Sequence, residues 1–130
     1  MAMATVAIFN SSEDTVELLR FTFEGAGFQT VAGHVPDIKR GQMDFVGFLE
    51  QHAPVAIVID ISMPYADNWN FVRLLRDTAS MRGRVLVLTT TNKRALDEIV
   101  GPTDTIEIVG KPYEAEAVLE AVRKGLERQA

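Results

Sequence analysis

The sequence VAIVIDISMPYADNW, residues 55–69, begins as an apolar, largely β-branched run and then becomes polar. An apolar run of this length without polar alternation is typical of a strand covered on both faces. Asp60 lies near the end of the run, and residues 68–79 then carry apolar residues at helical spacing. The stretch therefore predicts a buried strand whose carboxyl end carries Asp60 and leads into a helix.

Similar runs recur along the chain, and two of them, VAIF and VLVL, also lack alternation. The predicted strands are 6–9, 28–32, 55–61, 85–89 and 105–109, and the predicted helices are 13–26, 43–52, 68–79, 93–100 and 114–127. Strands alternating with helices indicate an α/β fold, with a parallel sheet covered by helices on both faces and right-handed crossovers. The third predicted helix carries Phe71, Leu74 and Leu75 at helical spacing. The polar segment GHVPDIKRGQ, residues 33–42, is expected to be a loop, long for this class.

The length and composition narrow the class of protein. The 130 residues fit one domain, 1–130, and there is no cysteine for a disulfide or a thiolate metal site. The net charge of −5, from 13 basic and 18 acidic residues, argues against nonspecific nucleic-acid binding. We find no signal peptide and no apolar run long enough to cross a bilayer. We therefore expect a cytoplasmic protein with neither nucleic acid nor membrane as a partner.

Polar residues follow four of the predicted strands. Asn10-Ser11, Asp60, Thr89 and Lys111 are expected at the carboxyl edge of the sheet, where open α/β sheets bind ligands. A carboxylate, a hydroxyl and an ammonium group that converge there suit a phosphoryl group. The carboxylate would be its covalent acceptor, and the other two groups would stabilise the charge on its oxygens.

Four motifs in this sequence resemble the receiver domain of two-component response regulators. They are VELLRFTFEGAGF, VIDISMPYADNW, VLVLTTT and VGKPYEAEAVLEAV, and the resemblance covers nearly the whole chain apart from residues 33–42. It implies a flavodoxin-like, doubly wound sheet of five parallel strands in the order 2-1-3-4-5, with five helices. It also implies a signalling phosphoacceptor rather than an enzyme.

The resemblance assigns roles to individual residues. Asp60 matches the aspartate that accepts a phosphoryl group from a histidine kinase or phosphotransfer protein. Thr89 matches the hydroxyl residue and Lys111 the lysine that contact the phosphoryl oxygens, and the bond from Lys111 to Pro112 would be cis. The resemblance also implies a downstream protein partner, and a homodimer through the fourth helix, fifth strand and fifth helix.

The resemblance implies a Mg²⁺ site as well, formed by Asp60, Ser11 and the main-chain carbonyl of Ser62. Here Asn10-Ser11 stands where the family usually has two acidic residues. Mg²⁺ prefers charged oxygen ligands, so the loss of both charges predicts a weakened or absent metal site. One serine of the pair Ser11 and Ser12 is also expected to cap the following helix, with Ser11-x-x-Asp14 resembling a capping box.

Other positions depart from the family pattern. Ile108 replaces the usual aromatic residue, Thr90 the usual small residue, and Tyr65 and Asn68 stand where glycine is common. Asn68 is interpreted as a benign replacement, because asparagine tolerates left-handed backbone angles. Trp69 is expected to be a packed surface aromatic residue.

Two functional interpretations remain open from the sequence, a phosphoacceptor receiver and a pseudo-receiver that only binds proteins. A third, a flavodoxin-like cofactor binder or small enzyme, is less favoured, because the first turn has no Gly-rich phosphate loop.

Overall fold

The computed structural model describes residues 3–41, 44–103, 106–110 and 115–129, with only the backbone described at Lys39. Five parallel strands form one sheet in the order β2-β1-β3-β4-β5, as expected. The strands are β1 (Thr5–Asn10), β2 (Gln29–His34), β3 (Ala56–Ile61), β4 (Val85–Thr90) and β5 (Ile106–Gly110). The register between β3 and β4 places Asp60 directly beside Thr89.

The described part of the chain contains six α-helices and one short 3₁₀ turn, Ala79–Met81. The helices are α1 (Glu13–Gly25), α2 (Val35–Lys39), α3 (Phe45–His52), α4 (Tyr65–Arg76), α5 (Lys93–Val100) and α6 (Ala115–Gln129). None of them is both long and apolar enough to span a membrane.

The sheet is packed on both faces, as its non-alternating strands predict. One face packs on α1 and α6 through residues such as Leu19, Phe23 and Val118. The other face packs on α2, α3, α4 and α5, where Leu49 and Leu96 are fully buried. Because both faces are covered, the polar groups of the sheet are concentrated at its two ends.

The predicted strands agree with the observed ones to within two residues, but the predicted loop at 33–42 is wrong. Strand β2 continues to His34, and α2 then begins with Pro36 in its first turn. Proline has a fixed φ that suits the start of a helix, and Ile38 packs into the core with 7% of its surface exposed. This burial stabilises a short helix in a segment whose Pro and Gly content favoured a loop. Gln42 lies outside the described residues.

The third predicted helix begins three residues earlier than expected, at Tyr65, and its most buried residues are Trp69 and Val72. Pro64 precedes the first turn in an extended conformation. Trp69 and Val72, which lie three residues apart, are buried, whereas Leu74 is 67% exposed. The expectation that Trp69 lies at the surface is therefore wrong. Of the three apolar residues predicted at helical spacing, Phe71 and Leu75 pack partly buried against the core and Leu74 does not. A helix places residues 69 and 72 on one side and residue 74 on another.

Candidate functional site

Asp60 and Thr89 meet at the carboxyl edge of the sheet. The Thr89 hydroxyl donates a hydrogen bond to Oδ1 of Asp60 over 2.7 Å. Thr89 is fully buried, whereas Asp60 is half-buried. The two side chains are held together because their residues are paired in neighbouring strands. The predicted proximity of this carboxylate and hydroxyl is thus correct in geometry.

A cavity of about 200 Å³ opens beside Asp60. Its polar rim is formed by Asp60, Ser11, Ser62 and Asn68, and its other walls are largely apolar side chains from α2, α4 and the loop before α4. The cavity gives a small anionic group or a partner side chain access to the Asp60 carboxylate.

The turn between β1 and α1 uses its polar side chains for its own structure. Asn10 is only 3% exposed, and its Oδ1 accepts a hydrogen bond from the Ser12 N–H over 2.9 Å. Ser12 is the N-cap of α1, with its Oγ accepting from the Thr15 N–H. The expected capping box at Ser11 and Asp14 is therefore wrong by one residue, whereas the prediction that one of the two serines caps the helix is correct.

Ser11, unlike Ser12, lines the cavity beside Asp60. The two neighbouring serines therefore have different roles, one as the helix N-cap and the other in the lining of the cavity. Ser12 satisfies the N–H groups at the start of the helix, and Ser11 faces the candidate site.

Asn68 contacts the loop that follows Asp60. Its side-chain Nδ2 donates a hydrogen bond to the main-chain carbonyl of Ser62 over 2.7 Å. Among the described residues, Ala53 is the one non-glycine with a positive φ, so Asn68 does not use a left-handed backbone. The left-handed backbone that was the reason for interpreting Asn68 as a benign replacement is therefore wrong. Sequence reasoning missed this contact because it began the helix at Asn68 instead of placing that residue at the end of its first turn.

Three further departures from the family pattern have clear positions. The Tyr65 hydroxyl lies 2.8 Å from the Thr91 hydroxyl and links α4 to the loop after β4. Thr90 is fully buried, and its Oγ1 accepts a weak hydrogen bond from the Asn92 N–H. Ile108 is partly buried against the core.

Lys111, the third predicted contact of a phosphoryl group, lies outside the described residues, as does Pro112 with its expected cis bond. The assignment of Lys111 to the site therefore remains a prediction.

The donor atoms expected to hold Mg²⁺ do not fit that ion well. Of the proposed ligands, Asp60 alone carries a charge, and Thr89 already donates to one of its oxygens. The Ser62 carbonyl accepts from Asn68. Within residues 3–41, 44–103, 106–110 and 115–129, no group of three or more His, Cys, Asp or Glu side chains could hold a metal ion. Mg²⁺ sheds its water reluctantly and requires several hard oxygen ligands, so this donor set is poor.

Known proteins share sequence or fold with this chain. No family model matches the chain. The response regulator Rre1 of Synechocystis sp. is 30% identical over 83 residues, which make up 63% of this chain and 36% of that protein. This chain thus spans about a third of the length of that curated relative.

Solved structures of receiver proteins share the fold at low sequence identity. The chemotaxis protein CheY4 of Vibrio cholerae aligns with a TM-score of 0.68 at 20% identity, covering 99% of this chain and 100% of that one. A response regulator receiver protein from Sinorhizobium medicae aligns with a TM-score of 0.73 at 18% identity, covering 98% of both chains.

The chain thus has the fold of the solved receiver proteins, and over 83 residues it is similar in sequence to a response regulator.

Proposed function

We propose that this receiver domain accepts a phosphoryl group on Asp60 and signals by direct contact with another protein. The observation that carries the proposal is the Thr89 hydroxyl 2.7 Å from the Asp60 carboxylate, at the mouth of a cavity. A nucleophile that is half-buried but open to a cavity can be reached by a donor while most of its surroundings exclude water.

In the proposed reaction, an Asp60 carboxylate oxygen attacks the phosphorus of a phosphohistidine on a histidine kinase or phosphotransfer protein. A new O–P bond forms, the N–P bond breaks, and its electron pair stays on the departing imidazole. The Thr89 hydroxyl then donates to an oxygen of the bound phosphoryl group. In this proposal Lys111 supplies the positive charge that offsets the negative charge of the transferred group.

The proposed output is a change in protein contacts. The surface implied by the resemblance corresponds to α5, β5 and α6, which would bind a downstream partner or a second copy of the chain. Tyr65 and Thr91 support a connection to this surface, because their contact joins α4 to the loop that leads into α5.

A second candidate function is a pseudo-receiver that binds partners without phosphoryl chemistry. It is favoured by the turn at Asn10, a neutral residue whose amide oxygen accepts a hydrogen bond from the Ser12 N–H. Both candidates use the same fold, but they differ in whether Asp60 is modified.

Intact-mass analysis after incubation with phosphoramidate, with and without Mg²⁺, tests the proposal. We expect one added phosphoryl group on the wild-type protein and none on Asp60→Asn, which keeps the size of the side chain but removes the nucleophile. If the wild type and Asp60→Asn remain equally unmodified under both conditions, the phosphoacceptor proposal is wrong and the pseudo-receiver is favoured.

A further inference from the structure

The side chain of Asn68 reaches from α4 back to the loop beside Asp60. Its Nδ2 lies 2.7 Å from the Ser62 carbonyl oxygen, at the short end of the range for such hydrogen bonds. A carbonyl oxygen can only accept, so the amide must present its NH₂ group to it. The positive end of the amide dipole is therefore directed at the Ser62 carbonyl.

The position of Asn68 in the helix favours this contact. Asn68 is the fourth residue of α4, and its main-chain N–H donates to the Pro64 carbonyl over 3.1 Å. With the backbone fixed in this way, the side chain has two torsions with which to reach a carbonyl six residues earlier. Asn68 is half-buried and lines the same cavity as Ser62 and Asp60.

Two amide side chains in and near the cavity are used for hydrogen bonds within the protein. The Asn68 amide contacts the Ser62 carbonyl, and the Asn10 amide oxygen is used by the Ser12 N–H. Ser11 contributes a neutral hydroxyl to the rim. A divalent cation bound between Asp60 and the Ser62 carbonyl would lie close to the positive end of the Asn68 amide.

We propose that the Asn68 amide takes the place of the divalent cation at the Ser62 carbonyl, so that the pocket around Asp60 excludes Mg²⁺. Two features then act together: the acidic pair is missing at residues 10 and 11, and a hydrogen-bond donor is present at residue 68. This inference rests on the proposed receiver function and concerns the same site. It adds the residue that keeps the pocket metal-free.

The cost of metal binding follows from these contacts. To coordinate the Ser62 carbonyl, Mg²⁺ would have to displace or closely approach the Asn68 NH₂ group and also lose hydration water. In return it would gain one carboxylate and neutral oxygen ligands. Introducing the two acidic residues alone would therefore leave the Asn68 NH₂ group at the Ser62 carbonyl. Removing the Asn68 amide would free that carbonyl for Mg²⁺.

The experiment measures Mg²⁺ affinity by isothermal titration calorimetry on variants of the full chain. We expect no sub-millimolar binding by the wild type and weak binding by Asn10→Asp/Ser11→Asp. Adding Asn68→Ala to that pair should tighten binding by about tenfold or more, because a charge-opposing donor is removed. Alanine is used because it preserves helix propensity, whereas glycine at this position would weaken α4.

Asn70→Ala in the same Asn10→Asp/Ser11→Asp background is the matched control. Asn70 is an exposed asparagine two residues further along α4 and does not line the cavity. We expect it to leave the Mg²⁺ affinity unchanged. Circular dichroism of each variant checks that it remains folded.

Two outcomes would overturn the inference. One is sub-millimolar Mg²⁺ binding by the wild type, and the other is an equal Mg²⁺ affinity for Asn10→Asp/Ser11→Asp with and without Asn68→Ala. The readout is the affinity for Mg²⁺ alone, so it does not depend on phosphorylation. The inference can therefore fail while Asp60 is phosphorylated, and it can hold while Asp60 remains unmodified.

Discussion

The two ends of the sheet both carry polar side chains, but these side chains have different surroundings. At the amino end, just before β4, the Arg84 guanidinium donates to the main-chain carbonyls of Ser80, Pro54 and Leu49. One half-buried cation thus joins the 3₁₀ turn, the start of β3 and the helix α3. A charged group that is satisfied by several carbonyls stabilises the fold and is left with little capacity for other ligands.

At the carboxyl end, Asp60 accepts a hydrogen bond from Thr89 and also faces a cavity. Unlike the Arg84 guanidinium, the Asp60 carboxylate can therefore be reached by an incoming molecule. The comparison indicates that a polar strand end is structural where the fold itself surrounds it, and is a candidate site where the fold leaves an opening.

The largest expected effect is at the amino end. Arg84→Ala removes three hydrogen bonds from a charged donor and leaves their carbonyl acceptors to find other partners. We expect the free energy of unfolding, measured by urea denaturation, to fall by about 3 kcal/mol. Arg84→Lys is the control and should recover part of the loss, because lysine keeps the charge without the planar fork. A loss below about 1 kcal/mol for Arg84→Ala would contradict the structural role.

A smaller effect is expected at the carboxyl end. Thr89→Val keeps the shape of the side chain but removes the donor to Asp60. We therefore expect the free energy of unfolding to fall by about 1.5 kcal/mol. We also expect slower phosphorylation of Asp60 by phosphoramidate, followed by intact mass.

The matched control for this change is Thr90→Val, at a residue that is equally buried but makes only a weak hydrogen bond to the Asn92 N–H. We expect it to lower the free energy of unfolding by less than Thr89→Val does. Equal losses for the two variants would show that the Asp60 contact contributes nothing specific.

The smallest effect concerns the turn before α1. Ser12→Ala removes the N-cap hydrogen bond to Thr15, and we expect a loss of about 1 kcal/mol in thermal or urea unfolding. Ser11→Ala should change stability by less than about 0.5 kcal/mol, because Ser11 faces the cavity instead. A larger loss of unfolding free energy for Ser11→Ala than for Ser12→Ala would show that Ser11, and not Ser12, caps the helix.

Much of the fold could be predicted from the sequence because its strands are unusually clear. Strands such as β3 and β4 are continuous apolar runs rich in β-branched residues, and runs of this length are typical of strands buried on both faces. The helix α2 was missed because Pro36 and its neighbouring glycines favour a loop locally. The contact of Ile38 with the core, which local sequence does not reveal, outweighs that preference.

Part of the candidate site could likewise be predicted from the sequence, and part could not. The proximity of Asp60 and Thr89 could be predicted because both residues end neighbouring parallel strands. The bond between Asn68 and Ser62 could not, because it depends on where α4 begins. The helix begins at Tyr65 instead of Asn68, which places Asn68 in the fourth helical position, where its side chain reaches the Ser62 carbonyl.

The sequence by itself determined the alternation of strands and helices and the positions of Asp60 and Thr89 near the strand ends. Apolar periodicity and parallel pairing are enough for these, since both follow from the order of residues along the chain. Only the tertiary structure decided that Ser12 rather than Ser11 caps α1, and that Asn68 bonds to Ser62. These contacts depend on side-chain directions, which are set when each helix packs on the sheet.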